Sequence, residues 1–352
     1  MIRAIRGQER KMTLRTGGAS FRVDLRAVVV VLILGLVSVA GIIANVGYGE
    51  YPIAPLDVVR TVFGVEAGDD NYDFIVNTLR LPRALVAFLV GLALGVSGAI
   101  LQGLTRNPLA APDIIGINAG AGLAAVTCIV LLPSFPSSLL PPVAFGGAFA
   151  VTVLLYLLAW RGSSSPLRLI LIGVGLGAIA TALTTTMIVF GEIFEVSKAL
   201  VWLTGSVYGR TWEQVWPLLP WLVVFVPLSF ALSRNLNALN LGEEVARGLG
   251  SRVEVERGIL LLCSVALAAA AVATAGTIAF VGLIAPHIAR RFVGPSHGGL
   301  LPTSAMTGGA LVVLADLVGR VSFGAVEIPC GIVTAAIGAP FFLYLLYRNR
   351  NK

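Results

Sequence analysis

The chain has 352 residues, 57% of them hydrophobic and only 12% charged, with a mean hydropathy of +0.91. A soluble domain of this size keeps a polar exterior, so the composition excludes one and indicates a polytopic membrane protein. The formal charge of +7 suggests nucleic acid at first sight, but its distribution excludes that partner: seven basic and two acidic residues crowd into the first 26, directly ahead of an apolar run.

That run, residues 27–46, is longer than the ~7–15-residue core of a cleaved signal peptide and reads as a retained first span with its basic flank in the cytoplasm. Charge-poor stretches of helix length follow at 82–104, 114–133, 141–160, 169–190, 214–233, 258–275, 276–289, 301–318 and 328–347. The seventh and eighth come from one uncharged run, Gly258–Ala289, too long for a single straight span. We break it at Thr274-Ala275-Gly276-Thr277. The expected architecture is all-α: a basic cytoplasmic extension over 1–26 and a ten-helix transmembrane domain over 27–352. With both termini inside, 19 Lys and Arg face the cytoplasm and 6 face outward, against 7 and 11 acidic residues. This is a strong positive-inside asymmetry. Between the fifth and sixth spans, Phe194–Leu203 is predicted as a short helix on or in the bilayer. Forty glycines fit helices that approach closely in lipid. Cys128, Cys263 and Cys330 are scattered through apolar runs, so neither a disulfide framework nor a metal site is expected.

Five local patterns stand out. Arg80-Leu-Pro-Arg83 opens the second span with two basic residues stiffened by a proline, and Arg106-Asn-Pro-Leu-Ala-Ala-Pro112 ends it in a non-helical turn. Residues 241–250 read as a short amphipathic helix in the largest cytoplasmic loop. Leu241, Val245 and Leu249 form one stripe, and Gly250 supplies the stop; a docking helix for a soluble partner is favoured over one lying on lipid. Gly95-Val-Ser97-Gly98 has the outline of an intramembrane protease nucleophile, but small-residue packing is the commoner use of such glycines. Asp316 and Arg320 stand at i, i+4 spacing and are expected to pair on one helix face. No GxxxxGK[ST] motif occurs and the chain has only three lysines, so any ATPase that drives it is a separate chain. The ionisable residues sit near span ends rather than at the midplane, which disfavours the alternative of an ion-coupled secondary transporter.

Taken together, several motifs resemble the FecCD-type permeases, the membrane subunits of ATP-binding-cassette importers for ferric siderophores, haem and cobalamin. They are Arg80-Leu-Pro-Arg83, Ser97-Gly98 with Gln102, Asn107-Pro-Leu-Ala-x-Pro112, Trp202-Leu-Thr-Gly-Ser206 and Leu241-Gly-Glu243. Further along come Gly282-Leu-Ile-Ala-Pro-His287, Asp316 with Arg320, and Glu327-Ile-Pro-Cys-Gly331 with Gly338-Ala-Pro340. The resemblance covers roughly 27–347. It implies the type II importer permease fold in a bacterial cytoplasmic membrane, working as a homo- or heterodimer with two ATPase subunits and an extracytoplasmic substrate-binding protein. It implies a translocation pathway, not an enzyme, with no cofactor of its own. Residue by residue, it makes Arg80, Arg83 and Arg320 the docking positions for the binding protein. It places the cytoplasmic gate at Asn107, Leu109 and the Ser164, Ser165 and Pro166 region, and coupling to the ATPase at Leu241, Gly242, Glu243, Val245, Arg247 and Leu249. Ferric siderophore is the expected cargo, with haem and cobalamin behind it. Thr184, Thr185, Thr186 and Met187 are candidates for lining the pathway, beside the commoner role of packing.

Overall fold

The computed structural model describes residues 11–16, 19–65, 68–113, 115–159, 166–322 and 327–349. Uncharged runs become helices almost where the sequence places them. The long ones are α1 (Leu25–Gly47), α3 (Leu81–Thr105), α5 (Leu140–Ala159), α6 (Pro166–Phe190), α8 (Trp212–Ala231), α11 (Val253–Ala275), α13 (His297–Val321) and α14 (Cys330–Asn349). A π-helical stretch, Phe74–Arg80, with each hydrogen bond one residue longer than in an α-helix, runs straight into α3. These eight regions are long and apolar enough to cross a membrane.

The other two predicted spans are shorter. The third is α4, Ile117–Leu131, 15 residues; the eighth is α12, Val281–Val293, 13 residues. Both lose their first turns to irregular backbone. Proline and a left-handed Gly116 delay α4, while Gly276 ends α11 and a left-handed Phe280 delays α12. Among the described residues, ten helices therefore lie where ten spans were expected, and eight of them reach spanning length.

Surface elements complete the chain: α2 (Pro55–Val62), α7 (Ile193–Thr204), α9 (Ser233–Leu241) and α10 (Glu243–Gly248). The helix expected at 194–203 is α7. The described part of the N-terminal extension pairs as an antiparallel hairpin, β1 (Lys11–Thr16) with β2 (Ala19–Asp24), Thr13 opposite Arg22. A hairpin there was not anticipated.

The core is built on α3, with α13, α11 and α12 packed around it. Glycine makes this possible. A Cβ on Gly91 would meet the Gly308 carbonyl oxygen at 2.2 Å, one on Gly95 the Ser304 oxygen at 2.2 Å, and one on Gly98 the Gly282 oxygen at 1.9 Å. Backbones in direct contact gain dispersion and exclude lipid without needing a hydrophobic driving force. Ser97 faces α11 instead, fully buried, with its hydroxyl bonded to Ser264. It packs two helices together, so the protease outline carries no chemistry.

Candidate functional sites at the two ends of the bundle

At the end where α3 begins, four helix termini converge. Arg83 enters from the first turn of α3 and grips both oxygens of Asp316 on α13, Nη2 to Oδ1 at 2.7 Å and Nε to Oδ2 at 3.1 Å. Its remaining nitrogen, Nη1, bonds Glu327, just ahead of α14, at 2.7 Å. The fork geometry makes these strong charge-assisted bonds. Tyr208 lays its ring over the same guanidinium, 5.4 Å from Cζ. Asn45, at the end of α1, donates to Asp316 at 2.9 Å and accepts from Arg320 through both its carbonyl (2.7 Å) and its side chain (2.9 Å). Arg320 also reaches Glu327, 3.5 Å away.

The expectation that Asp316 pairs with Arg320 is corrected here. Helix spacing favours i, i+4 partners, but Asp316 is taken by Arg83, and Arg320 turns instead to Asn45 and Glu327. Arg83 is buried, with 8% of its surface exposed, so its charge is spent inside the protein and not presented to a partner. Arg80 is half-buried and donates to the Val46 carbonyl at 2.8 Å. Among the described residues no carboxylate lies within ion-pair distance of it. Arg80 and Arg320 approach Gly49 together; the Arg320 side chain is nearly enclosed, 8% exposed, and pairs with Glu327, so of the two Arg80 alone lacks a carboxylate partner. In the adjoining loop the Tyr51 hydroxyl donates to Asp69. That bond holds the Asp69 carboxyl below its usual range, and it raises the Tyr51 hydroxyl.

At the opposite end, α3 stops on a left-handed Arg106 and the chain enters the proline turn. Asn107 organises it: its amide reaches back to the Gln102 carbonyl at 3.2 Å, and its side-chain oxygen accepts from Leu109 N at 2.9 Å. Gln102 in turn accepts from Arg290 of α12 at 3.0 Å. Asn107 and Leu109 are half-buried, within reach of solvent. Of the other gate candidates, Pro166 starts α6, while Ser164 and Ser165 lie outside the described residues.

Nearby, the helix expected over 241–250 is in fact two pieces. Leu241 closes α9, Gly242 (φ +120°) turns the chain, and α10 covers Glu243–Gly248, ended by a left-handed Gly250. The apolar stripe survives the break: Leu241, Val245 and Leu249 are 67%, 48% and 67% exposed. The helix is not loose, as an unpartnered one would be. Ala246 is fully buried, and Glu243 is fastened to Arg257 in the first turns of α11 at 2.6 Å. Arg247 stands 3.6 Å from the other oxygen of Glu243. Glu243 is thus an anchor for α10.

Between the ends, Thr184 is buried and its hydroxyl returns to the Ala180 carbonyl. Thr185 and Thr186 face outward, with theirs bonded to Thr181 and Ala182. Met187 accepts from Thr127 of α4 at 3.1 Å. Thr184 and Met187 thus serve packing, and of the candidates Thr185 and Thr186 alone are exposed. Sequence reading missed Asn45, Arg257 and Asp113. Their distinguishing partners, Arg320, Glu243 and Phe280, lie 275, 14 and 167 residues away, beyond the reach of any local pattern.

Comparison with known proteins supplies the frame for this geometry. The FecCD transport family model matches residues 28–348. The Probable siderophore transport system permease protein YfhA of Bacillus subtilis (strain 168) is 47% identical over 335 residues, covering 94% of this chain and 97% of the relative. The Fe(3+) dicitrate transport system permease protein FecD of Escherichia coli (strain K12) is 44% identical, covering 81% and 88%. A solved inward-facing conformation of a metal-chelate type ABC transporter superposes with a TM-score of 0.81 at 32% identity, covering 91% of this chain and 99% of the other. With nearly its whole length matched in sequence and in fold, this chain belongs to the FecCD transport family of multi-pass membrane permeases.

Proposed function

We propose that this chain is the membrane-spanning subunit of a binding-protein-dependent ABC importer that carries ferric siderophores across the bacterial cytoplasmic membrane. The observation that carries this reading is α10, a surface helix fixed to α11 by the Glu243–Arg257 bond while an apolar stripe stays exposed. A rigid arm that presents apolar side chains suits transmission of a push from a soluble ATPase better than a lipid contact. In this reading α4 and α12, short as they are, complete ten crossings, because the backbone just ahead of each packs on other helices, Gly116 against Gly173 and Gly177 of α6 and Gly276 against the Trp202 carbonyl of α7. Both termini lie in the cytoplasm, two permease subunits pair around the pathway, and each receives an ATPase at α10. The binding protein docks at the end that carries Arg80 and Arg320. ATP binding closes the ATPase dimer, hydrolysis resets it, and the cycle reaches the turn at Asn107–Pro112 through α10 and α11. The chain itself makes and breaks no bond.

A ferric-chelate cargo is favoured by relatives named for siderophores and Fe(3+)-citrate. A Halobacterium salinarum relative named as a cobalamin import permease, 44% identical, keeps cobalamin as the alternative. Uptake of radio-iron ferric siderophores, haem and labelled cobalamin in a strain lacking this chain, with and without its restoration, decides between them. Accumulation of iron chelate only on restoration is the expected result. Uptake that persists without ATP but collapses with a proton uncoupler would sink the importer reading.

A further inference from the structure

One polar contact at the heart of the bundle has no place in the scheme above. Asp113 follows the proline turn, and its carboxylate bridges two elements that are far apart in sequence. One oxygen accepts from the Asn118 side-chain amide in the first turn of α4; the other accepts from the backbone N–H of Phe280 at 3.1 Å. Phe280 is the residue on which α12 begins, and its own carbonyl receives the Leu283 and Ile284 amides. It is also strained. Phe280 has φ +66°, a left-handed conformation that bulky side chains avoid. Among the described non-glycine residues, Arg106 is the only other in this region, and it begins the same proline turn. Strain of this kind persists only where the surroundings fix it.

The surroundings here are tight. A Cβ on Gly282 would lie 2.8 Å from Pro112 Cδ, so the turn presses on the first turn of α12. One on Gly338 of α14 would lie 2.4 Å from the Phe280 side chain. Against these contacts the carboxylate supplies direction: it is acceptor-only, so it matches two converging donors, one from each element. A leucine of similar volume offers neither acceptor.

We propose that Asp113 is a positioning residue that locks the left-handed joint at Phe280 to the turn after α3, so that the turn and the start of α12 move as one body. The inference rests on the reading of that turn as the cytoplasmic gate. The lock then explains why a short α12 begins on a strained aromatic. Movement of the turn is delivered directly to α12, and through Phe280 to α14, without waiting for flexible side chains.

The test exploits hydrogen-bond capacity. Asp113→Leu, of similar volume, removes both acceptors. Asp113→Asn keeps both bonds: its amide oxygen accepts from Phe280, and Asn118 turns its amide over so that its unpartnered oxygen accepts from the new NH2. The readout is a Leu109→Cys probe, in a chain whose three buried native cysteines are replaced by alanine. It is labelled by an impermeant maleimide in inside-out vesicles holding the full complex, nucleotide-free or trapped with ATP and vanadate. The labelling rate with wild-type Asp113 should differ at least several-fold between the two states. Absence of that difference overturns the gate reading and leaves the lock without a gate to serve. Given the difference, Asp113→Leu should flatten it to less than twofold, and Asp113→Asn should keep most of it. A normal difference in Asp113→Leu, or an Asp113→Asn variant no better than Asp113→Leu, overturns the lock. If Asp113→Leu fails to assemble, adding Phe280→Gly should restore assembly, because glycine adopts the left-handed backbone without strain; failure to do so also overturns the proposal.

Discussion

The helices α1 and α11 have the same length, 23 residues, and occupy opposite situations. In α1, the more apolar of the two and the most apolar in the chain, 17% of its most apolar stretch is buried; in α11 the share is 83%. The first is rich in Val, Ile and Leu, whose branched side chains suit lipid. The second is a run of alanines ending in Thr274 and Ala275, narrow enough for α3 and α8 to close on it. Hydropathy therefore measures fitness for lipid, while small size and stray polar groups mark the centre of the bundle. A polar residue in a central helix has protein around it and a partner to find, which is why Ser97, Ser264 and Asp316 all lie there.

The contrast is broken most severely by three added carbon atoms. Gly98→Val in α3 drives its Cβ into the Gly282 carbonyl, 1.9 Å away and unable to yield because it is backbone. Folded permease recovered from membranes should fall to background. Gly35→Val in α1, where nothing stands within 4 Å, should express as wild type. Equal yields for the two variants would mean that the close approach of α3 and α12 is not what holds the core.

Arg83→Gln comes next in size. It strips Asp316 of its fork and Glu327 of its 2.7 Å partner inside a nearly dry site. Breaking a buried pair from one side costs roughly 3–5 kcal/mol, chiefly through the charge left behind. Arg60→Gln, which loses an exposed 3.4 Å pair with Asp57, should cost no more than ~1 kcal/mol. Thermal denaturation of the detergent-solubilised complex separates the two. An Arg83→Gln protein as stable as Arg60→Gln would show that the cluster is solvated. Adding Asp316→Asn should recover part of the loss, since the stranded charge goes with it.

How much of this was readable beforehand follows from the range over which each signal acts. Helix positions depend on runs of twenty uncharged residues, and every long helix ends within a few residues of the expected limits. The break at Gly276 was legible because an uncharged run of that length cannot be one span. What followed it was not, since the left-handed Phe280 has no compositional mark and the start of α12 is set by Asp113, 167 residues earlier. The ionic cluster was half legible. Arg83, Asp316, Arg320 and Glu327 all drew notice, but local spacing paired Asp316 with its neighbour instead of with a residue 233 positions away. The exposed stripe on α10 was legible from periodicity; its anchor Arg257 was not, because one arginine in a charged loop resembles any other.

The third prediction sets the anchored side of α10 against its exposed side. Val245→Asp with Leu249→Asp changes only exposed apolar residues, so membrane yield and stability should match wild type. Docking of an ATPase on this stripe would lose two apolar contacts and gain two buried charges, at least ~3 kcal/mol and so about a hundredfold in affinity. Co-purification of the ATPase should fail accordingly. Glu243→Ala acts from the other side: it frees α10 from Arg257 while the stripe stays intact, so the ATPase should remain bound and hydrolyse ATP with little transport. Wild-type co-purification in the double aspartate variant would remove the stripe from the interface.

The smallest effect belongs to Arg80, which contrasts with its neighbour Arg83. The two are three residues apart, yet one guanidinium is enclosed by two carboxylates and the other donates only to a backbone carbonyl, with Arg320 beside it. Arg80→Gln should therefore leave stability within ~0.5 kcal/mol, whereas Arg83→Gln lowers it severalfold more. Its consequence should appear in association with the binding protein, where an exposed pair contributes ~0.2–1 kcal/mol and acts mainly on the encounter rate. A two- to fivefold slower association at low ionic strength is the expected outcome. Arg80→Glu should roughly double that free-energy loss by replacing attraction with repulsion. Screening shortens from ~10 Å at 0.1 M salt to ~3 Å at 1 M, so wild type and variants should converge as salt rises. Dissociation rates should change little, because no buried contact is lost. Equal association rates for wild type and Arg80→Glu at low salt would leave Arg80 as a structural tie between α1 and α3, and would move the search for the docking surface to the loop around Tyr51 and Asp69.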